Sequence, residues 1–197
     1  MSKKQTMRKN TTKFANRKMM ETNDDLTIYN KEIISFKVSI PFGDMDEFIE
    51  TTLKTYAKKN LMGKCHKEGY ISKSYCSIVR YTSGKMVKNN IVFEVDYEFL
   101  VCHPYEDMEI VCTIQNITKI GIKAIVKTKN EVPIVCFASR VHNEDMFSQE
   151  TVEEGDDIDI SKNFKEGDTI KINVLGYRFE INDPHISTLG KIITKTN

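Results

Sequence analysis

Alternation of apolar and polar positions dominates the chain. In IISFKVSIPF (33–42), Ile34, Phe36, Val38 and Ile40 alternate with Ser35, Lys37 and Ser39. That is the pattern of a strand buried on one face, and Pro41 ends it. The period then changes. In GDMDEFIETTLKTYAKKN, Met45, Phe48, Ile49, Leu53 and Tyr56 recur at helical spacing. Asp44 and Glu47 form a capping-box pattern, and Lys58 and Lys59 suit the negative end of the helix dipole, so a helix is predicted over 44–60. A strand is predicted over 70–81, with Tyr70, Ser72, Ser74, Cys76, Ile78 and Arg80 on one face and Ile71, Tyr75 and Val79 nearer the other. SGKMVKNN reads as a loop because of Gly84 and Asn89–Asn90. IVFEVDYEFLVC (91–102) sets Ile91, Phe93, Val95, Tyr97, Phe99 and Val101 against Glu94, Asp96 and Glu98, a long antiparallel strand with one buried face.

After the break at HPYEDM (103–108) the apolar runs shorten. Strands are predicted over 109–118, 121–128, 132–138, 168–180 and 185–194, with bends at Gly121, Asn130, Gly167 and Asn182–Asp183. Five short strands with a long acidic insertion before the fourth fit a small closed barrel of the OB type. In the fourth strand Lys171, Tyr177 and Phe179 share one parity, with Arg178 and Glu180 on the other face. The fold class is α+β and mostly β. The expected division is a basic disordered extension (1–31), a first domain (32–107) and an OB-fold domain (108–197), the two domains packing closely.

Charge sharpens this division. The net charge of +1 is a cancellation. Lys3, Lys4, Arg8, Lys9, Lys13, Arg17 and Lys18 crowd the start, whereas Glu144, Asp145, Glu150, Glu153, Glu154, Asp156, Asp157 and Asp159 form an acidic run. That run repels phosphate and suits a basic protein surface or solvent. No apolar run reaches the length of about 18 residues that suggests a membrane span. Five cysteines, an odd number with no C-x-x-C pair, point to a reducing intracellular compartment.

The stretch GKCHKEGYI (63–71) is the most chemical in the chain. A zinc site needs about four converging ligands, and the spacing of Cys65, His66 and Cys76 lacks that signature. A Cys–His nucleophile needs an orienting group that the sequence does not supply. The plainer reading makes Gly63 the cap of the preceding helix, with a strand beginning after Gly69. No metal site, cofactor or catalytic residue is expected.

A helix, then G-K-C-x-x-x-G-Y-I, a loop and IVFEVDYEFLVCHPYEDMEI together resemble the stalk subunit of multi-subunit RNA polymerases, the seventh subunit of RNA polymerase II and its archaeal counterpart. VCTIQNITKIGIKAIV, VCFASRVHNEDMF and FKEGDTIKINVLGYRFEINDPHISTLGKI continue the resemblance in family order across about 33–194. It implies a truncated RNP-like tip domain followed by an OB barrel. The chain departs from the family in its basic extension, in the absence of a glycine-rich tract at 81–90 and in lacking an aromatic after Gly121. Its Lys-, Asn- and Ile-rich wording is most similar to versions carried by large nucleocytoplasmic DNA viruses.

The resemblance implies a non-catalytic subunit that docks on the polymerase core through Pro41, Phe42, Gly63, Lys64, Cys65, Gly69 and Tyr70. The implied partners are the largest subunits, a clamp-associated small subunit, a second stalk subunit as an open point, and nascent RNA; no membrane is implied. An OB barrel binds single strands with a basic groove and aromatic platforms. The candidates are Lys119, Lys123, Lys127, Phe137, Arg140, His142, Lys171, Tyr177, Arg178 and Phe179. A viral version would sit in the virion and the host cytoplasm, a cellular one in the nucleus. The alternative is a free-standing OB-fold factor binding single-stranded RNA. A small RNA-processing enzyme is disfavoured, because the carboxylates cluster in one loop rather than around a histidine.

Overall fold

The computed structural model describes residues 28–128, 131–147 and 164–196. Most of the basic extension (1–27) and most of the acidic run (148–163) lie outside the described residues.

The first half is an open antiparallel sheet in the order β1-β5-β3-β2: β1 (Tyr29–Pro41), β2 (Lys64–His66), β3 (Gly69–Tyr81) and β5 (Asn90–Cys102), with the short β4 (Lys85–Val87) paired to the start of β5. β1 starts four residues before the expected 33, so residues 29–31 belong to the sheet, not to the extension. The alternation of β1 and β5 turns Ile34, Val38, Ile40, Phe93, Val95, Tyr97, Phe99 and Val101 to one face. There α1 (Ile49–Asn60) covers them with Leu53 and Ala57, followed by Leu61 and Met62. The Tyr97 hydroxyl donates to the Leu53 carbonyl at 3.0 Å, so the buried phenol keeps its hydrogen bond. The outer face carries a polar lattice of Lys31–Glu98 and Arg80–Asp96 ion pairs, with Ser35 donating to Asp96.

Two local expectations need correction. The helix begins at Ile49, not at 44, because Phe42–Asp44 form a 3-10 turn and Asp44 caps nothing. Thr52 Oγ1 accepts the Asp46 N–H at 3.0 Å and holds Met45–Phe48 out of the helix. In β3 a register break between Ile71 and Cys76, and a second between Ile78 and Arg80, disrupt the simple parity. Ile71, Cys76 and Ile78 consequently share the helix-covered side.

The second half is a closed barrel in the order β10-β8-β7-β6-β9: β6 (Glu109–Thr118), β7 (Gly121–Val126), β8 (Ile134–Ser139), β9 (Thr169–Arg178) and β10 (Ile186–Thr196). β8 and β10 run parallel and every other pair is antiparallel, the arrangement of an OB fold. Its interior holds Ile110, Ile114, Ile122, Ile134, Ile170, Ile172 and Ile186. After β8, a 3-10 turn (Arg140–His142) leads to the one-turn α2 (Glu144–Phe147). Asn143 between them closes the barrel: its amide donates to the Ser139 carbonyl at 2.7 Å and its side-chain oxygen accepts Ile192 N–H at 2.6 Å.

The halves meet along a buried seam. Tyr29, Cys65, Tyr70 and Cys102 of the open sheet pack in the same apolar cluster as the barrel interior.

Candidate functional site

Register decides which candidates can act together. Tyr29, Tyr70 and Cys102 pair at one end of the open sheet, and Pro41 and Asn90 pair at the other. The seven docking candidates therefore divide between the two ends. Pro41 and Phe42 lie at the outer tip. Gly63, Lys64, Cys65, Gly69 and Tyr70 lie at or beside the seam.

Burial separates them further. Cys65 is 0% exposed and Tyr70 is 2% exposed. Asn182 N–H donates to the Cys65 carbonyl and Cys65 N–H donates to the Asp183 carbonyl, both at 2.9 Å, so the barrel already holds this backbone. Lys64 Nζ reaches back 3.5 Å to the Asn60 carbonyl at the end of α1. Gly63 (φ 76°) ends the helical segment in the left-handed region and donates to the Ile71 carbonyl at 2.7 Å. Gly69 has φ 133°, and a Cβ there would stand 2.4 Å from the Cys102 carbonyl oxygen.

The Cys–His pair also resolves. Burial, then the Asp183 carboxylate, pushes the Cys65 thiol up to about 12. His66 turns elsewhere: its Nε2 lies 3.0 Å from the Leu61 carbonyl, and its ring meets Phe36 edge-on at 5.3 Å. A thiol held this firmly protonated is a poor nucleophile and a poor ligand. No group of three or more His, Cys, Asp or Glu placed to hold a metal occurs among the described residues.

The outer tip is the opposite environment. Phe42 is 64% exposed, and Met86 on β4 is 71% exposed. Phe42 N–H donates to the Asn89 carbonyl at 3.0 Å, tying the 3-10 turn to the β4–β5 turn. A cleft of about 530 Å³ between them is lined by Phe42, Gly43, Met86 and Ile91. A second, of about 500 Å³, opens on the other flank of Pro41 and carries Asp44, Asp46 and Lys59. The segment 85–87, expected as loop, is a strand: Met86 pairs opposite Ile91, with Lys88 (φ 54°) in the turn.

The barrel candidates also form two groups. At the end away from the seam, Lys123 and Phe137 are cross-strand partners on the outer face, and the Phe137 ring lies beside Gly121. Lys119 lies in the β6–β7 turn, and Arg140 N–H donates to the Ile120 carbonyl at 3.0 Å. This draws Arg140 and the exposed His142 to the same end, beside exposed Ile120 and Val141. Lys127 follows β7 at the seam end and is exposed.

At the seam end stand Tyr177, Arg178 and Phe179. His103, not among the RNA candidates, joins them: its ring meets Tyr177 at 5.4 Å and Phe179 at 6.0 Å, both edge-on. Tyr177 and Phe179 lie nearly parallel, with centroids 6.3 Å apart. The shared parity of Lys171 and Tyr177 does not hold. A bulge at Leu175 shifts the β9–β10 register, so Tyr177 pairs with buried Thr188 while Lys171 stays on the outer face opposite exposed Val111. Lys171 and Arg178 each face a carboxylate, Glu109 and Glu180. Such exposed pairs exchange easily for a phosphate, since they are worth about 0–1 kcal/mol.

No family model matches the chain. It is 25% identical over 173 residues to a protein of Acanthamoeba polyphaga mimivirus named "Putative DNA-directed RNA polymerase subunit". The match covers 85% of this chain and 83% of that protein, so it spans the open sheet and the barrel together. Among the described residues, no helix is long and apolar enough to cross a membrane.

Proposed function

We propose that this chain is a non-catalytic subunit of a DNA-directed RNA polymerase, of the stalk type, acting in viral transcription. The observation that carries the reading is the similarity to the mimivirus protein, which runs through both halves in order. An open sheet with an apolar tip, followed by an OB barrel, agrees with the two-part arrangement that the resemblance to the stalk subunit implies.

In this reading the tip anchors the subunit. Phe42 and Met86 dock on the polymerase core, in place of the wider set that includes Cys65 and Tyr70, whose surfaces the barrel covers. The barrel then presents Lys123, Phe137, Arg140 and His142 at one end, and Tyr177, Arg178 and His103 at the other, to emerging RNA. Such contacts are electrostatic with a few stacking faces, and so tolerant of sequence. The chain serves in the virion and the host cytoplasm.

Affinity purification of the tagged chain from producing cells tests the proposal. The largest polymerase subunits should copurify in stoichiometric yield. Recovery of the chain with RNA but without polymerase would instead identify a free-standing RNA-binding factor. For the RNA contact, a chain beginning at Ile28 separates the basic extension from the barrel without cutting β1. With about three or four phosphates neutralised, its single-strand affinity should fall with a log–log salt slope of roughly −2 to −3.

A further inference from the structure

The loop between β7 and β8 places one carboxylate where four donors of the other half converge. Glu131 Oε1 accepts the Tyr29 hydroxyl at 2.9 Å and the Ser72 hydroxyl. Its Oε2 accepts the Tyr70 hydroxyl at 3.1 Å and the Lys73 backbone N–H at 2.8 Å. A carboxylate offers about four lone-pair sites, and these four bonds fill them. All four donors come from β1 and β3, whereas Glu131 itself belongs to the barrel half.

Local chemistry builds both sides of the contact. The Glu131 carbonyl accepts Thr128 N–H at 3.0 Å and the Thr128 hydroxyl at 3.1 Å, which ties Glu131 to the residues that follow β7. On the other side, β3 leaves register with β5 between Ile71 and Cys76. That break is what turns Ser72 and the Lys73 amide toward the barrel instead of toward β5. Burial first, and the Glu131 carboxylate second, push the Tyr29 and Tyr70 phenols far up, so both remain donors.

We propose that Glu131 is a latch that sets the angle between the open sheet and the barrel. With the carboxylate in place, the seam is held by Glu131 on one side and by the Cys65–Asn182–Asp183 backbone bonds on the other, and the two halves move as one body. Without it, the Glu131 side opens, and the barrel swings about the 103–108 connector while each half keeps its own hydrogen-bond ladder. In any assembly that grips one half, this carboxylate determines where the other half points.

Residual dipolar couplings and amide exchange of the full chain test the latch. In the wild type, couplings from both halves should fit one alignment tensor. In Glu131→Ala the two tensors should diverge, and the Lys73 amide should exchange at least about tenfold faster while Ile122 and Ile172 in the barrel keep wild-type rates. A purely global loss of stability would accelerate all three together and would overturn the proposal. So would a single shared tensor in the variant. If Glu131→Ala does not fold, Tyr29→Phe/Tyr70→Phe decides the matter: it removes two donors and keeps the apolar volume. It should loosen the seam in the same direction by a smaller factor, and unchanged tensors and Lys73 exchange would reject the latch.

Discussion

At one end of the open sheet, Tyr29, Tyr70 and Cys102 stand in register and are buried against the barrel. At the other, Pro41 and Asn90 stand in register beside β4, and Phe42 and Met86 project into solvent. Both ends are apolar and glycine-punctuated, so local composition does not tell them apart. What differs is the neighbour. The seam end has found its partner within the chain, down to the backbone N–H groups of Cys65 and Asn182. The tip has an apolar surface and two clefts with nothing of this chain over them among the described residues. In the proposed reading the exposed apolar surface of the tip, tied to a fixed backbone, is where another molecule docks. Buried apolar surface of the same kind is a joint.

The sharpest way to break this contrast is Gly69→Val. A valine there meets the Cys102 carbonyl oxygen in a backbone region that side chains rarely adopt. Strain and clash together should cost about 3 kcal/mol or more. Chemical denaturation should show the loss directly. Because the seam shares its apolar cluster with the barrel interior, weakened polymerase binding by this variant would report unfolding and not docking. An unchanged denaturation midpoint would show that the seam end is not the rigid joint described above.

The local patterns were readable where a strand keeps its register and misleading where it does not. The alternation of 91–102 matches β5, Asn90–Cys102, within one residue because that strand has no bulge of its own to reverse the faces. β3 and β9 each contain register breaks, three extra residues between Ile71 and Cys76 and one at Leu175, and an odd insertion moves every later side chain to the other face, which brings Cys76 and Ile78 onto the side of Ile71 and parts Tyr177 from Lys171. The five-strand barrel was legible from strand count and turn spacing. The helix start was not, because Thr52 accepts the Asp46 amide from six residues away and outcompetes the capping pattern at Asp44. The site was the least legible. Phe42, Cys65 and Tyr70 were all named from the resemblance, but their opposite exposure was not legible: the burial of Cys65 and Tyr70 depends on a barrel more than 35 residues further along the chain, and no local window contains that contact. His103 was passed over because it pairs with Tyr177 across 74 positions.

A gentler test of the seam uses proton linkage. The Cys65 and Cys102 thiols are pushed up to about 12, chiefly by burial. In the unfolded chain they titrate near 8.5–9, as ordinary thiols do. The stability they contribute as neutral groups is therefore complete below about pH 8.5, and it is lost as pH rises from there toward 12. Stability should fall across that alkaline window. At pH 8, alkylation should reach the partly buried Cys76 first, with Cys65 and Cys102 reacting only as the seam opens. A rise of about three units from the ordinary thiol value lowers the thiolate fraction about 10³-fold. Labelling of Cys65 as fast as Cys76 would show that the seam is open in solution.

The smallest effect on stability belongs to the tip, and there a small effect is the informative one. Phe42 and Met86 lie mostly in solvent, so truncating them removes little buried area. Phe42→Ala/Met86→Ala should change the unfolding free energy by only about 0.5 kcal/mol, the range of ordinary surface substitutions. The backbone bond from Phe42 N–H to Asn89 survives both changes, so the turn keeps its shape. If the tip is the docking surface, the same variant should lose most of its polymerase in affinity purification, since exposed apolar anchors concentrate binding energy. Stability and assembly would then separate cleanly: Gly69→Val loses both, and the tip variant loses only assembly. Wild-type recovery of the polymerase subunits by a stably folded Phe42→Ala/Met86→Ala chain would move the docking surface away from the tip. The exposed Ile120–Val141 end of the barrel would be the next surface to truncate.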